Sequence, residues 1–389
     1  MMNHWEEKEL QEIGEIVTGN TPAKINKAYY QDGSIDFIKP SDIQYRVIET
    51  FSEKLSESSR NVARLVPSGA VLVTCIGEIG RVGLTNHEVA FNQQINGIIP
   101  NNQINSRFLF YRLQLEKKQL ESKSSATTVS ILNKSKFSTI KITFPKEKDM
   151  QEKIVEAIET QFTRLDAAIK SLKAIKDKLE LYRKSVLKEA FSVRNLTDCE
   201  IKKLGYFERK GGGTPSTKVK KYWGGNINWI TSASINDKNN ITFEKKITAL
   251  GLKNSAANLV PKGSVIVVTR VGLGKVAVNE EPTAFSQDNQ GIICKDINPY
   301  FLMWQIKSAA NEIIGQGQGT TISGITVNKL NLIEVKVPDL DTQAEIVNLI
   351  ESRLSVIDNL EKVIYGSFRK SKILRNSILK SAFEGKLVN

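Results

Sequence analysis

The second half of the sequence repeats the first half at an offset of 192 to 194 residues. The segment Arg183–Phe191 returns as Arg375–Phe383, and Thr21-Pro22 returns as Thr214-Pro215. This period is far longer than the roughly 20–50 residues of a solenoid repeat. The chain therefore predicts a duplicated unit of domain size, and we expect its function to need two similar modules in one molecule.

The net charge of +13 indicates a polyanionic partner, because a basic protein that neutralises phosphates releases their counterions. Nucleic acid is the partner that this charge favours. A membrane surface is the other polyanion, but the sequence shows no basic amphipathic helix with an aromatic-rich apolar face. A length of 389 residues, with 40% hydrophobic and 25% charged residues, suits two ordinary soluble domains.

The sequence predicts neither a signal peptide nor a membrane-spanning segment. Met1–Lys8 is polar and acidic, unlike a signal peptide. The apolar runs, of which Ser264–Val268 is typical, are too short to cross a bilayer. Cys75, Cys199 and Cys294 are scattered and odd in number, which indicates thiols in a reducing compartment rather than a disulfide framework. These features predict a cytoplasmic protein.

The first part of each repeat, residues 1–147 and 195–340, predicts a mixed α/β domain and hence an α+β fold class. Short runs of β-branched residues alternate with Pro, Gly and Asn, which is typical of strands joined by turns. One helix is predicted in each copy, over 106–121 and 300–314. The predicted strands lie at 35–38, 67–74, 97–100 and 140–145 in the first copy, and at 227–230, 265–268, 291–293 and 333–338 in the second.

The second part of each repeat, residues 148–194 and 341–389, predicts a long helix. Neither segment contains proline, and apolar residues recur every seven positions, the spacing of a coiled-coil seam. About 45 residues at ~1.5 Å each give roughly 68 Å, longer than a small domain is wide. We expect the two helices to pack as an antiparallel coiled coil, which gives an internal pseudo-two-fold. The seam positions are Ile158, Leu165, Leu172, Leu179 and Val186, then Ile350, Ile357, Ile364 and Ile378, with Ser371 interrupting the second row.

Motifs for catalysis are weak throughout the sequence. The two histidines, His4 and His87, have no counterparts in the other copy, and no His/Cys cluster has metal-site spacing. Gly272–Ala277 matches the G-x-G-x-x-A pattern of dinucleotide sites, but the residues that follow do not predict the required helix. A nuclease-like E-x-K occurs at Glu334–Lys336, and Lys141–Thr143 replaces it in the first copy. The sequence predicts a chain with no catalytic residues and no metal site.

Polar residues in repeated turns are the candidates for contact with DNA. Asn, Gln, Ser, Thr, Lys and Arg supply most bonds to base edges and phosphates, although they also favour ordinary turns. The framework of the turns repeats while the polar identities differ, as expected for two readers of different sequences. The candidates are Lys39, Ser41, Arg81, Asn92, Gln93, Thr127 and Thr128 in the first copy, and Thr231, Ser232, Arg270, Lys275, Gln287, Asn289, Thr320 and Thr321 in the second.

Taken in order along the chain, these features resemble the specificity (S, HsdS) subunit of type I restriction–modification systems. The resemblance covers essentially the whole chain. The first copy departs somewhat from the pattern, because Asp32-Gly33 replaces Gly224-Gly225 and Gly19–Ala23 is less typical than its partner. The strings that carry the resemblance are Gly213–Ser216, Tyr222–Ile230, Leu65–Gly69, Leu259–Gly263 and the helix ending Ser377–Leu387.

The resemblance implies two target-recognition domains, each reading one half of a bipartite double-stranded DNA target, and a coiled coil that sets the gap. It implies a non-catalytic chain that binds no cofactor of its own. The chain would dock two methyltransferase subunits, which bind S-adenosylmethionine and methylate adenine at N6. Two restriction subunits that use ATP and Mg could join through them. Such a complex would be an adenine-N6 DNA methyltransferase and an ATP-dependent endonuclease in a bacterial or archaeal cytoplasm.

Two other functions stay open on the sequence alone. A nuclease or methyltransferase with a degenerate site would turn over DNA without partner subunits. A scaffold whose coiled coil is the functional part, and whose domains bind proteins, would show no salt-dependent affinity for DNA.

Overall fold

The computed structural model describes residues 5–124, 130–193, 196, 199–270, 274–315 and 327–388. The chain divides into two compact units. Unit 1 comprises Met1–Lys173 and Tyr365–Asn389, and unit 2 comprises Ala174–Ile364. Each unit therefore holds one α+β domain together with a part of each long helix.

The α+β domain of unit 1 is built from short strands and short helices, and it ends where the first long helix begins. The segment predicted as one helix over 106–121 is two helices, because Glu116 has a ψ of 12° and breaks the helical path. The strands are β1 (Trp5–Glu9), β2 (Gly14–Thr18), β3 (Ile35–Ile38), β4 (Glu53–Leu55), β5 (Leu65–Val66), β6 (Val71–Thr74), β7 (Val82–Leu84), β8 (Val89–Phe91), β9 (Ile95–Pro100) and β10 (Lys141–Pro145). The helices are α1 (Leu10–Ile13), α2 (Ser106–Leu115), α3 (Lys117–Ser122), α4 (Lys134–Ser138) and the long α5 (Lys148–Val193).

The strands of unit 1 form three sheets, in the orders β1-β10, β2-β9-β6-β7 and β4-β3-β8-β5. β3 and β8 pair in parallel with Phe37 opposite Ala90. β6 is buried on both faces, and its alternate side chains enter different apolar clusters, as strand geometry requires. Val71 and Val73 pack with the helices, whereas Leu72 packs with the core around Phe91.

The α+β domain of unit 2 has the same succession of strands. They are β11 (Glu200–Lys203), β12 (Arg209–Gly211), β13 (Trp223–Ile230), β14 (Lys245–Ile247), β15 (Leu259–Val260), β16 (Val265–Val268), β17 (Val276–Val278), β18 (Thr283–Phe285), β19 (Asn289–Ile292) and β20 (Glu334–Val337). The helices are α6 (Ala249–Lys253), α7 (Pro299–Gly315), α8 (Val327–Asn331) and the long α9 (Leu340–Phe383).

The sheets of unit 2 reproduce those of unit 1 strand by strand. Their orders are β11-β20, β12-β19-β16-β17 and β14-β13-β18-β15. β13 and β18 are the parallel pair, with Trp229 opposite Ala284. The duplication predicted from the sequence is therefore confirmed as a duplication of the fold.

The two long helices pack against each other within each unit. In unit 2, Arg183 of α5 pairs with Asp358 of α9, and Arg353 of α9 lies 2.6 Å from Glu189 of α5. Moving towards the C-terminus on α5 thus means moving towards the N-terminus on α9. The antiparallel coiled coil that the heptads predict is confirmed.

All the seam positions are buried or half-buried, whereas two flanking positions are exposed. Leu360 and Leu374 are these exposed residues, so they lie outside the seam. Neither long helix, nor any other helix in the described part of the chain, combines the length and apolarity that a bilayer span requires. The buried seam residues are Ile158, Leu179, Val186, Ile350, Ile357 and Ile364, and the half-buried ones are Leu165, Leu172 and Ile378.

Candidate nucleic-acid interface

In each α+β domain, the parallel strand pair places two turns with candidate DNA-contacting residues side by side. β3 and β8 run in the same direction, so the turns that follow them lie at one edge of the sheet. The amide of Asn92 donates to the carbonyl of Ile38 over 3.1 Å and ties the two turns together. The amide of Ser286 makes the same bond to Ile230, over 2.9 Å, in the second domain.

The turns after β3 and β13 are closed by a side chain three residues further along. The Lys39 amide donates to Asp42 Oδ2 over 2.8 Å, and the Thr231 amide donates to Ser234 Oγ over 3.1 Å. Lys39 Nζ lies 2.9 Å from the Glu53 carboxylate. The candidate side chains on these turns are Lys39 and Ser41 in the first domain and Thr231 and Ser232 in the second, and all are exposed or half-buried.

The turns after β8 and β18 carry an exposed glutamine held by a threonine. Thr21 Oγ1 donates to Gln93 Oε1 over 2.6 Å, and Thr214 Oγ1 donates to Gln287 Oε1 over the same distance. Each hydroxyl thus orients the glutamine amide, and the NH₂ group takes no part in this bond. Thr21 and Thr214 were not among the predicted contact residues, although their repetition in both copies was the signal that could have found them.

The asparagines of these turns are hydrogen-bonded within the protein. Asn289 is fully buried, and its Nδ2 donates to Ser286 Oγ over 3.1 Å. A side chain without exposed surface does not contact DNA in this conformation, so Asn289 has a structural role instead of the predicted one. Asn92 is half-buried, and its Oδ1 accepts a bond of 3.0 Å from the Gln94 amide. A polar residue in a turn can point inwards or outwards, which sequence reasoning does not decide.

Arg81 and Lys275 occupy equivalent positions at the ends of the turns between β6 and β7 and between β16 and β17. The Thr74 amide donates to the Arg81 carbonyl over 3.0 Å, and the Val268 amide donates to the Lys275 carbonyl over 3.0 Å. The strand end before each turn also bonds to the glutamine-bearing turn: the Cys75 amide donates to the carbonyl of Gln94 over 2.8 Å, and the corresponding bond in the second domain is also 2.8 Å long. Three candidate turns therefore adjoin in each domain.

Among the described residues, the basic side chains of these turns make long ion pairs. Arg81 Nε lies 3.4 Å from Glu78, and Lys275 Nζ lies 4.0 Å from the exposed Asp237. Arg270 is 68% exposed. Ion pairs at an exposed surface contribute roughly 0–1 kcal/mol, and pairs as long as these hold the basic groups only weakly.

The other sequence motifs do not form a reactive centre in the described residues. Within the described ranges, no group of three or more His, Cys, Asp and Glu side chains is arranged to hold a metal ion. The residues after Gly274 form strand β17 and not a phosphate-binding helix. Burial raises the pKa of Cys75 to about 12 and that of Cys294 to about 11, so neither thiol is a nucleophile at neutral pH. Thr127, Thr128, Thr320 and Thr321, together with Gly272 and Leu273, lie outside the described residues.

The architecture defines a class of protein in which a duplicated α+β domain is carried on an antiparallel pair of long helices. A family model described as type I restriction modification DNA specificity domain matches residues 2–181 and 197–364. The chain belongs to this family.

Curated relatives and a solved structure agree with this assignment. The chain is 30% identical over 169 residues to the type I restriction enzyme MjaIX specificity subunit of Methanocaldococcus jannaschii, covering 42% of this chain and 39% of that protein. It is 35% identical over 164 residues to the HindI specificity subunit of Haemophilus influenzae, covering 40% and 36%. The matched segments thus span under half of each relative.

A solved structure that concerns complex assembly and conformational transition of the type I R-M system contains a similar chain. The two chains superpose with a TM-score of 0.79 at 17% identity, over 99% of this chain and 98% of that chain. This similarity shows a shared fold.

Proposed function

We propose that this chain is the specificity subunit of a type I restriction–modification complex. Each α+β domain is a target-recognition domain that reads one half of a bipartite double-stranded DNA target. The observation that carries the proposal is the doubled interface, in which the same strand-end turns, Thr–Gln pair and basic turn occur in both domains with different neighbouring side chains. A net charge of +13 suits contact with DNA phosphates.

The coiled coil sets the gap between the two half-sites. Helices α5 and α9 have 46 and 44 residues, which corresponds to roughly 69 Å and 66 Å at ~1.5 Å per residue. Both helices contribute to both compact units. A helix pair of this length suits a spacer between two half-sites about one to two turns of B-DNA apart, at ~34 Å per turn.

The exposed apolar face of α9 is the docking surface for the methyltransferase subunits. Val356, Leu360 and Val363 are exposed, and their spacing of four and three residues places them on one face of the helix. Apolar patches of this kind mark interaction surfaces. The partner subunits supply the chemistry, with S-adenosylmethionine on the methyltransferases and ATP and Mg on restriction subunits that join through them. The chain itself is non-catalytic and acts in the cytoplasm.

Co-expression with the neighbouring methyltransferase gene tests this function, with single-molecule sequencing of the host DNA for N6-methyladenine as the readout. We expect a split motif with two short half-sites around a fixed run of unspecified bases. A continuous motif would mean that the two domains do not read separate half-sites. Turnover of DNA by the purified chain alone, with S-adenosylmethionine or magnesium, would show an enzyme instead of a specificity subunit.

A further inference from the structure

A buried glutamine occupies the first turns of each long helix. Gln151 of α5 and Gln343 of α9 are separated by the repeat offset and have 0% and 1% of their surface exposed. A buried amide is stable only when its donors and acceptor are paired. The partners of these two side chains therefore report which segments each glutamine holds together.

Gln151 joins three segments of unit 1. Its Oε1 accepts a bond of 2.7 Å from the amide of Asn105, the residue that caps helix α2. Its Nε2 donates to the carbonyl of Gln103 over 3.0 Å and to the carbonyl of Pro145 over 2.8 Å. One side chain thus links the long helix to the start of α2 and to the end of β10.

Gln343 makes the counterparts of two of these bonds in unit 2. Its Oε1 accepts a bond of 2.8 Å from the amide of Asn298, which precedes helix α7. Its Nε2 donates to the carbonyl of Pro338 over 2.7 Å. The same brace therefore stands at both junctions between an α+β domain and a long helix.

At each junction between an α+β domain and a long helix, a short connection accompanies the hydrogen bonds of the glutamine. Only two residues separate β10 from α5, and only two separate β20 from α9. Apolar residues such as Ile154 and Ile158 also hold α5 against its domain, but hydrophobic contact is non-directional. The amide bonds are directional, so they set the rotation and axial position of the helix relative to the domain.

We propose that Gln151 and Gln343 are positioning residues that fix the direction in which each long helix leaves its target-recognition domain. They thereby set how strictly the complex discriminates one gap length from another. This inference rests on the proposed function, because a gap has meaning only for a split DNA target.

The test uses the complex of the full chain with its methyltransferase subunits. Binding is measured on duplexes that carry both half-sites with the native gap, with one base pair fewer and with one base pair more. Gln151→Met keeps the length of the side chain but removes the three bonds. We expect the preference for the native gap to fall by about tenfold, while the penalty for a single base change inside a half-site stays as in the wild type.

Val155→Ala is the matched control, because Val155 is buried one turn further along the same helix and packs in the apolar core. It is expected to weaken binding to all three duplexes by a common factor. A Gln151→Met complex that keeps the wild-type preference, or a Val155→Ala complex that loses it equally, overturns the inference. If Gln151→Met does not assemble, Gln343→Met decides in the same way against Val347→Ala. A wild-type complex that binds no split target overturns the proposed function itself, whereas retained gap preference in the glutamine variants overturns only this inference.

Discussion

The guanidinium of Arg375 on α9 stands 4.2 Å from the centroid of the Phe162 ring on α5, and it also pairs with the carboxylate of Asp166 on α5. One side chain near the end of the chain thus makes a cation–π contact and an ion pair with the helix of the first repeat. Its counterpart Arg183 pairs with Asp358, but the position equivalent to Phe162 is a leucine, so no ring is present there.

Arg375→Ala is expected to lower the free energy of unfolding by about 1–2 kcal/mol, because it removes both a cation–π contact and an exposed ion pair. Arg375→Lys keeps the charge but loses the planar guanidinium, and its effect is expected to be intermediate. Urea denaturation measures both. Arg369→Ala, at an exposed position of the same helix, is the control and is expected to stay within about 0.5 kcal/mol of the wild type. Equal losses at Arg369 and Arg375 would contradict the assignment.

The seam predicts a large difference between two leucines on one helix. Leu179 is 9% exposed and Leu181 is 67% exposed. Leu179→Ala is expected to cost about 2–5 kcal/mol, since it leaves a cavity in a packed core. Leu181→Ala is expected to cost less than about 0.5 kcal/mol. Urea melts of the two variants, run in parallel, check the order, and a larger loss for Leu181 would mean that the seam faces the other side of α5.

The end of α9 stabilises the domain that begins the chain. Phe383 is buried, and its ring meets the Phe108 ring edge-on with centroids 5.2 Å apart. Phe383→Ala is expected to cost about 3–5 kcal/mol and to speed hydrogen exchange in strands β6 and β9 of unit 1. The matched variant Phe191→Ala removes the equivalent contact with Phe301, at 5.9 Å in unit 2. Phe191→Ala is expected to speed hydrogen exchange in β16 and β19 of unit 2 instead. If each variant speeds exchange equally in both units, the end of each long helix does not stabilise one particular domain.

Because of Lys307, we expect the free energy of unfolding to rise at alkaline pH. Burial lowers the pKa of Lys307 to about 8. The charge of Arg183 also lowers this pKa, whereas the charge of Asp237 raises it. The unfolded chain keeps this proton up to its ordinary pKa of about 10.4. Between these values the unfolded state binds more protons than the folded state, so stability rises with pH in that window.

Lys307→Gln isolates this effect, because glutamine is the residue at the equivalent position Gln114. Between about pH 7.5 and pH 9.5, the free energy of unfolding of the wild type is expected to rise by about 2 kcal/mol relative to that of the variant. Urea melts at several pH values measure the difference. A wild type that gains no stability relative to Lys307→Gln over this range would show that Lys307 stays charged in the folded state.

Arg81 and Lys275 are expected to contact phosphate and not bases. Arg81→Ala and Lys275→Ala are each expected to weaken binding of the complex by a similar factor on specific and non-specific DNA, and to reduce the salt slope by about one. Lys170→Ala, exposed on α5, is the control and should leave the slope unchanged. Relaxed specificity at one base position in either variant would reassign that residue to base readout.

Local regularities of the sequence predicted the larger features of the fold. The repeat offset identified two copies of one domain, and the seven-residue spacing of Ile158 to Val186 identified a long helix with a buried seam. Both depend on patterns between near neighbours or on direct comparison of the two copies. The helix predicted over 106–121 was wrong in its middle, because the turn of the chain at Glu116 leaves no signal in residue periodicity.

The sequence by itself determined that the protein has two similar modules, long antiparallel helices and a positive net charge. Only the tertiary structure decided which polar side chains are exposed and which are buried and bonded within the protein. Thr21 reaches Gln93 across 72 positions of the chain, and Gln151 reaches Asn105 across 46. The burial of Asn289 likewise depends on segments that are distant in sequence. A side chain's direction in a turn is set by the long-range contacts that pack around it, and neither propensity nor spacing carries that information.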